Sequence, residues 1–427
     1  MEAAHVTAAL LIFLACYGLI ISEKIHRTIV ALLGASLLII VGIFLDFYNQ
    51  HEAVSAIDFN TIGLLVGMMI IVEILKHTGL FQYIAIKSAK LVKGKPWGIM
   101  VVFAGITAIA SAFLDNVTTV LLMVPITIVI CDHLKISPKP FLLVEILMSN
   151  IGGAATLIGD PPNILIGSAA NLSFNDFLLN LGPVILIISI LVIPIFKWKY
   201  HKQIQTKEEY QNELLKLKEE ECIKNPKLLK KALIVLGLVI LGFFFHGFLG
   251  LEAATIAIFG AALLLLIEND NIEKALEGIE WTTIFFFIGL FVLVGGLEST
   301  GVISWAASGI LNLTQNNFVY TSLIILWGSA IFSAFVDNIP FVATMIPLVQ
   351  DMGSTFSDLT PMWWALALGA CLGGNGALVG ASANLVVAGM SEKAGHKISF
   401  IEFLKIGFFI MIFTVAIANI YLWLRYW

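Results

Sequence analysis

A polar pair of residues occurs twice in this chain, each time inside long apolar sequence. Residues 111–126 read SAFLDNVTTVLLMVPI, and residues 333–348 read SAFVDNIPFVATMIPL. In both copies an Asp-Asn pair is followed, nine residues after the Asn, by a proline. A single pair of this kind could simply cap a helix, but a carboxylate and an amide at bilayer depth usually line a cavity or hold an ion. Duplication in a matching context favours the functional interpretation, so we predict that both segments belong to a transport site.

The duplication continues on both sides of these segments at an almost constant offset. Matching residues lie 222 positions apart at three places: Thr61-Ile62 with Thr283-Ile284, Gly67 with Gly289, and Asp115 with Asp337. The stretch LIGDPPN at 157–163 aligns with LVGASAN at 378–384, 221 positions later. The chain therefore consists of two related halves.

Apolar sequence occupies most of both halves. Hydrophobic residues make up 59% of the chain and charged residues 12%, with a mean hydropathy of +0.96, whereas soluble domains carry about 25% charged residues. Many of the apolar runs approach or exceed the roughly 18 residues that span a bilayer. We therefore predict an all-α polytopic membrane protein.

Each half is predicted to contain five transmembrane spans, one of them broken, and one re-entrant helical hairpin. The first broken span contains Pro161 and Pro162, which lack backbone donors and keep the residue before them out of a helix. Polar hairpin tips and helix breaks at bilayer depth are tolerated where they are buried in protein or line a cavity. The predicted boundaries are 1–196 for the first repeat (hairpin 97–131, broken helix 141–170), 197–231 for a linker, and 232–427 for the second repeat (hairpin 318–350, broken helix 361–390).

The two repeats are predicted to be inverted in the membrane. An odd number of crossings in the first half makes the second half enter from the opposite face. If linker 197–231 is cytoplasmic, every Lys and Arg except Arg425 lies in a cytoplasmic loop, in agreement with the positive-inside rule. We predict a protein of the cell (plasma or inner) membrane with both termini on the extracytoplasmic side.

Hairpin tips that enter from opposite faces should meet the two broken helices near the membrane centre. Carboxylate, amide, hydroxyl and carbonyl oxygens at this place are suitable ligands for hard cations. The candidate ion or substrate ligands of the first repeat are Ser111, Asp115, Asn116, Thr118, Thr119, Thr156, Gly159, Asp160 and Asn163. Those of the second repeat are Ser333, Asp337, Asn338, Asn375, Gly380, Ser382 and Asn384.

The first repeat is the more acidic of the two at this site. Its helix break carries Asp160, whereas the aligned residue of the second break is Ala381. We therefore expect a Na⁺ site near Asp115, Asn116, Gly159 and Asp160, and no Lys or Arg beside it. Buried carboxylates can exchange a proton for a cation, which makes Asp115 and Asp160 candidates for proton coupling.

Glu145 is a third candidate for proton coupling, because it lies on the same broken span as the glycine pair and the proline break. An intramembrane carboxylate is a functional hypothesis by default, here as a proton relay or an ion ligand. The alternative is that Glu145 only accepts a hydrogen bond from a neighbouring hydroxyl. The sequence leaves both interpretations open.

Two stretches, LDNVTTVLLMVPITI and NIGGAATLIGDPPNILIGSAAN, resemble the ion transporter superfamily. They are most similar to the branch that holds the melanosomal P protein, with NhaD-type sodium/proton antiporters and arsenite permeases as relatives. The divalent anion/sodium symporters are more distant, since they carry a Ser-Asn-Thr tip and a Gly-Thr-Pro-Pro-Asn break. Here these positions read Asp115-Asn116-Val117 and Gly159-Asp160-Pro161-Pro162-Asn163.

The resemblance implies a scaffold domain and a mobile transport domain that moves in an elevator-like fashion, usually within a homodimer. It also implies ion sites at the hairpin tips and helix breaks. Carried over to this sequence, these sites fall on Asp115, Asn116, Asn150, Asp160, Asn163, Asp337, Asn338 and Asn384. Substrates vary widely among proteins of one fold, so the resemblance leaves the transported ion open.

Three functions follow from these features. The first is antiport of Na⁺, or another monovalent cation, against H⁺, based on Asp115 and Asp160. The second is Na⁺-coupled transport of a small anion, a carboxylate or an oxyanion, including arsenite-type efflux, because helix N-termini can bind anions without basic side chains. The third is a channel-like conductance or a membrane-bound sensor.

Other classes of protein lack support in the sequence. We find no nucleophile–base pair, no metal-ligand spacing among the Cys and His residues and no phosphate-binding glycine loop, so neither an enzyme nor an ATP-driven pump is expected. No cofactor is expected beyond Na⁺ and H⁺ as coupling ions. The expected partners are the lipid bilayer, a small ion and a second copy of the chain, and no nucleic acid.

The predicted orientation can be tested with reporter fusions in a bacterial host. Green fluorescent protein fused after Asn212, within the linker, should fluoresce because this position is predicted to be cytoplasmic. Alkaline phosphatase fused after Trp427 should be active, because its disulfides form only outside the cytoplasm. The opposite pattern at both positions would contradict the predicted orientation.

Overall fold

The computed structural model of the protein describes residues 3–22, 24–268 and 272–427. Residues 1, 2 and 23 of the predicted first repeat, and 269–271 of the second, lie outside this description. The first half contains α1 (Ala3–Ser22), α2 (Arg27–Leu45), α3 (Gln50–Ser55), α4 (Phe59–His77), α5 (Leu80–Leu91), α6 (Pro96–Phe113), α7 (Asn116–His133), α8 (Lys139–Gly153), α9 (Pro161–Ala170), α10 (Phe174–Asn180), α11 (Gly182–Tyr200) and α12 (Glu208–Leu214).

The second half contains α13 (Pro226–Leu249), α14 (Ala253–Ile267), α15 (Ile272–Glu277), α16 (Trp281–Ser299), α17 (Val302–Leu313), α18 (Phe318–Phe335), α19 (Asn338–Asp351), α20 (Thr360–Gly373), α21 (Ser382–Lys393) and α22 (Phe400–Tyr426). Short 3₁₀ turns lie at Glu219–Cys222, Met352–Ser354 and Leu378–Gly380. No strand occurs among the described residues. Within the described part of the chain, ten helices are long and apolar enough to cross a membrane: α1, α2, α4, α6, α7, α11, α13, α16, α18 and α22. The predicted all-α polytopic fold is confirmed.

The order and spacing of the helices repeat between the halves. Helices α3 to α6 begin at residues 50, 59, 80 and 96, and α15 to α18 begin 222 residues later, at 272, 281, 302 and 318. The last span differs, because α10 and α11 of the first half correspond to the single helix α22. Pro183 lies at the start of α11, where a proline is tolerated but a continuous helix across it is disfavoured.

Each hairpin turns at an Asp that caps its second helix. The Asp115 carboxylate accepts the Thr118 backbone N–H at 2.8 Å, and the Asp337 carboxylate accepts the Ile339 N–H at 3.1 Å. The helix pairs α6–α7 and α18–α19 begin and end within two residues of the ranges predicted for the hairpins, and their re-entrant course in a membrane remains a prediction. The Asp of each Asp-Asn pair therefore caps a helix, as such a pair commonly does. The Asn side chain of each pair takes no part in the cap and can bind other groups.

The two broken spans consist of α8 with α9 and of α20 with α21. Residues 154–160 are not helical, and Pro161 and Pro162 begin α9. The second break lacks prolines, yet α20 ends at Gly373 and α21 begins at Ser382, with one 3₁₀ turn between them. Backbone groups within both breaks lack helical partners and need other donors.

The linker packs against the helices on either side of the first hairpin's open end. Lys90 of α5 forms an ion pair with Glu219 at 2.6 Å, and the Lys224 N–H donates to the Thr78 carbonyl at 3.0 Å. The Thr206 hydroxyl donates to the Leu134 carbonyl, directly after α7. The linker therefore packs against the first half through defined contacts, and its cytoplasmic location remains a prediction.

The helices pack as two groups. Helix α2 lies along α16 and α4 lies along α14, and we call these four the scaffold group; α6–α9 and α18–α21 pack with one another and form the hairpin group. A Cβ on Gly67 would lie 2.6 Å from the Ala257 carbonyl carbon, and one on Gly289 would lie 2.7 Å from the Ala31 carbonyl carbon. These matching glycines let the backbones of the scaffold group approach closely, as small residues do in membrane proteins.

Gly67→Ala should destabilise the protein, because the added methyl group would overlap backbone atoms of α14. Overpacking of this kind typically costs about 1–3 kcal/mol, so the thermal unfolding midpoint in detergent should fall by several degrees. Gly328→Ala is the matched control, because Gly328 lies in α18 with no neighbouring atom within 4 Å of the added Cβ. Equal midpoints for the two variants would contradict the proposed packing.

Candidate ion-binding site

The centre of the site is Asp160, whose side chain is fully buried in the first helix break. The Asn116 amide donates to its Oδ1 at 3.3 Å. The Asn338 amide donates to its Oδ1 at 3.4 Å and its Oδ2 at 3.3 Å. The two amides come from different hairpin tips, so both tips contact one carboxyl group.

Asp160 has no basic partner among the described residues. Its hydrogen-bond donors are neutral amides, and burial of an ionised carboxylate without a compensating charge is very unfavourable. The site therefore calls for a proton on Asp160 or a cation beside it.

Two asparagines stabilise the unwound segments in the same way. The Asn163 amide donates to the carbonyls of Gly153, Ala154 and Thr156, at 3.4, 3.3 and 2.8 Å. The Asn384 amide donates to the carbonyls of Gly374 and Ala377, at 2.8 and 3.1 Å. Each side chain supplies the donors that the broken helix lacks, so both have a clear structural role.

The two broken helices are also linked to each other. The Asn150 amide donates to the side-chain oxygens of Asn375 at 2.9 Å and Asn384 at 3.0 Å. Cys371 of the second repeat is equivalent to Asn150, and its thiol donates to the side-chain oxygen of Asn163 at 3.5 Å. The Asn116 amide reaches the Asn150 oxygen at 3.0 Å, so the first tip, both breaks and Asp160 belong to one hydrogen-bonded network.

Hydroxyl groups attach each hairpin to the neighbouring broken helix. Ser111 donates to the Ser149 carbonyl at 2.6 Å and Ser333 donates to the Ala370 carbonyl at 2.7 Å. The Thr156 hydroxyl donates to the carbonyl of Ala112. The protons of these three hydroxyls are committed to backbone carbonyls, so these residues position the site.

Glycines in both breaks permit this close contact. A Cβ on Gly159 would lie 2.5 Å from the Ser111 carbonyl oxygen, and one on Gly380 would lie 2.8 Å from the Ser333 carbonyl oxygen. Gly159 is not among the residues that line the cavity described next. Both glycines therefore act by letting hairpin and break approach.

A small cavity of about 20 Å³ lies beside Asp160, and its wall includes Asp115, Asn116, Glu280 and Thr283. It is partly enclosed, and we call it the closed cavity to distinguish it from a more open pocket nearby. A volume of this order holds about one water-sized group. The side-chain oxygen of Asn116 and the Thr119 hydroxyl are buried without a hydrogen-bond partner among the described residues. Asp115 itself is bonded to the backbone N–H and the hydroxyl of Thr118. Carboxylate and amide oxygens around a space of this size suit a small cation.

The expectation that no Lys or Arg lies at the site is wrong. Arg27 Nη1 lies 2.7 Å from Asp337 Oδ2 and donates to Ser382 Oγ at 2.6 Å. The Ser382 hydroxyl in turn donates to Asp337 Oδ2 at 2.7 Å. Arg27 begins α2, where the sequence suggested a basic loop residue, and the second hairpin tip reaches it there.

Glu280 is a second residue that the sequence analysis missed. It lines the cavity and accepts the Thr283 hydroxyl at 3.1 Å. A signal was present, because Glu280 lies 222 positions after Asp58, another acidic residue in front of a Thr-Ile pair. With Asp115, Asp160 and Asp337, Glu280 brings four carboxyl groups against one guanidinium in this region, which leaves an excess of negative charge when all are ionised.

Glu145 lies apart from the cavity. The Thr127 hydroxyl donates to its Oε1 at 2.5 Å, so the hydroxyl partner considered from the sequence is present. Its Oε2 is buried and has no partner in the described part of the chain. A role of Glu145 in proton coupling remains a prediction.

Comparison with known proteins places this chain in a family. A sequence profile described as "Citrate transporter" (CitMHS) matches residues 17–369. An uncharacterized transporter of Mycobacterium tuberculosis is 44% identical over 424 residues, which cover 98% of each chain. The P protein of Homo sapiens is 34% identical over 499 residues, which cover 98% of this chain and 60% of that protein.

Solved structures share the fold at low sequence identity. The YdaH transporter of Alcanivorax borkumensis, described as having an unusual topology, superposes with a TM-score of 0.63 at 11% identity, covering 97% of both chains. MtrF of Neisseria gonorrhoeae, described within a class of antimetabolite efflux pumps, gives a TM-score of 0.58 with the same identity and coverage. The chain belongs to the citrate transporter family of secondary transporters.

Proposed function

We propose that this transporter exchanges a monovalent cation, Na⁺ in the first instance, for protons. The observation that carries the proposal is Asp160, a fully buried carboxyl group that accepts hydrogen bonds from neutral amides of both hairpin tips and has no basic partner among the described residues. Because an ionised Asp160 needs a positive charge beside it, the site is stable with a proton or with a cation and unstable with neither. Competition between the two for one carboxyl group is the basis of exchange.

The residues around Asp160 can serve both loaded states. With a proton on Asp160, its carboxyl oxygens can still accept the hydrogen bonds that the amides of Asn116 and Asn338 donate. With a cation in the cavity, the free side-chain oxygen of Asn116 and the carboxylates of Asp115 and Glu280 are available as ligands. Oxygen ligands of these types favour hard cations.

We further propose that the hairpin group moves as a unit against the scaffold group, within a homodimer, to expose the site alternately on the two sides of the membrane. Hydrogen bonds from Asn116, Asn150, Asn338 and Cys371 link the tips and breaks to one another, which supports a unit that carries its site with it. The lipid bilayer and a small ion are then the partners of the protein.

A second candidate function is coupled transport of a small carboxylate such as citrate. Arg27 at the site favours it, because guanidinium groups recognise carboxylates and only one of its nitrogens, Nη1, donates in the described contacts. The description of the family as citrate transporters supports the same substrate class. In this case the excess carboxylates would hold the cation that accompanies the anion.

Asp160→Asn should abolish cation-dependent proton movement in proteoliposomes with an imposed pH gradient and a pH-sensitive dye. The amide keeps the size of the side chain but cannot take up or release the proton. Asp115→Asn, on the cavity wall, should reduce the response to Na⁺, Li⁺ or K⁺ by about tenfold, which corresponds to ~1.4 kcal/mol. Asp132→Asn is the matched control, because Asp132 is exposed near the end of α7.

Two outcomes would decide against antiport. An unchanged response in Asp160→Asn would remove the proposed role of this carboxyl group. A wild-type protein that responds to no cation but accumulates radiolabelled citrate under a Na⁺ gradient would establish the second candidate function instead.

A further inference from the structure

Two cavities meet at Arg27. One is the closed cavity of about 20 Å³ beside Asp160. The other is an open pocket of about 290 Å³, lined mainly by apolar residues at the end of α1 and at the starts or ends of α18 and α21. Arg27 and Ser382 line both. Their side chains therefore form the wall between the open pocket and the ion-sized space.

Arg27 is held on the scaffold side of this wall. Its guanidinium carbon lies 5.0 Å from the ring centre of Phe286 in α16, a favourable cation–π distance. The neighbouring Thr28 hydroxyl donates to the Thr282 carbonyl at 2.7 Å and fixes the start of α2 to α16. If its contacts with the hairpin group break, Arg27 remains anchored to the scaffold group.

The partners of Arg27 across the wall belong to the hairpin group. Asp337 lies at the second tip and Ser382 begins α21, and both contact Arg27 Nη1. Arg27 is the only basic residue on the wall of the closed cavity among the residues that the structure describes. A permanent positive charge therefore lies beside the carboxyl groups to which a transported cation would bind.

We propose that Arg27 is the gate of the closed cavity on this side and an internal competitor for the transported cation. While its guanidinium binds Asp337 and Ser382, the passage from the open pocket is shut and part of the negative charge is neutralised. An entering cation displaces the guanidinium from Asp337, with Glu280 on the same cavity wall as its alternative partner. This inference rests on the proposed function in that it assumes a cation as the occupant.

The first test compares the cation dependence of transport in Arg27→Gln, Arg27→Lys and wild type. Loss of the competing charge should lower the half-saturating cation concentration by about fivefold, the size expected for a partly exposed ion pair. Lysine should restore most of the wild-type value, because it keeps the charge. The charge-exchanged variant, Arg27→Asp with Asp337→Arg, should likewise return towards wild type. An unchanged half-saturating concentration in Arg27→Gln would overturn the competitor role.

The second test measures the gate without any transported cation. Ile339 lines the closed cavity and is 4% exposed, so a cysteine at this position reports access to the cavity. The variant Ile339→Cys is made in a background in which the native cysteines are replaced by Ser: Cys16, Cys131, Cys222 and Cys371. A small water-soluble thiol reagent should label this cysteine slowly with Arg27 present and several-fold faster in Arg27→Gln. Equal labelling would overturn the gate even if transport is cation-dependent. Faster labelling in a protein that shows no cation transport would retain the gate and reject the proposed function.

Discussion

The structure depends above all on a buried carboxyl group that has no basic partner among the described residues. Asp160 lies at full burial in a broken helix, where an uncompensated charge is very unfavourable. Amides from two hairpin tips donate hydrogen bonds to this carboxyl group, and a cavity of about the size of one water molecule lies beside it. The breaks themselves are possible because Asn163 and Asn384 satisfy the exposed carbonyls from within. Both the broken helices and the site therefore depend on hydrogen-bond partners for polar groups that are buried in apolar surroundings.

The two repeats supply a symmetric framework for an asymmetric chemistry. The equivalent residues Ser111 and Ser333 make equivalent hydrogen bonds, and both tip asparagines turn towards the same place. The charges do not follow this symmetry. Ala381 stands where the first break has a carboxylate, and Arg27 forms an ion pair with Asp337, whereas the equivalent Asp115 forms no ion pair among the described residues. The two repeats therefore share their structural hydrogen bonds, whereas the carboxyl group in the helix break occurs in the first repeat alone.

The sequence predicted the elements whose causes are local and missed the contacts between distant elements. The first break follows from Pro161 and Pro162, and the second could be found only by its alignment with the first, since it contains no proline. The role of Arg27 was not predicted, because a basic residue at the start of a membrane-spanning helix is usually found at the membrane surface. Its contact with Asp337 depends on how far the second hairpin extends, which the sequence alone does not indicate. Glu145 shows an intermediate case: its burial was foreseeable, but the partner hydroxyl of Thr127 became evident only in three dimensions.

The reciprocal contacts of Asn150 and Cys371 have a consequence for how such a protein can be assembled. These positions are equivalent in the two repeats, so two identical half-length chains packed head to tail would place the same residue at both. They would likewise place either two carboxylates or none at the positions of Asp160 and Ala381. An acidic group at only one of two equivalent positions requires halves of different sequence. Fusion of the halves in one chain allows each to vary independently while their one-to-one pairing is kept.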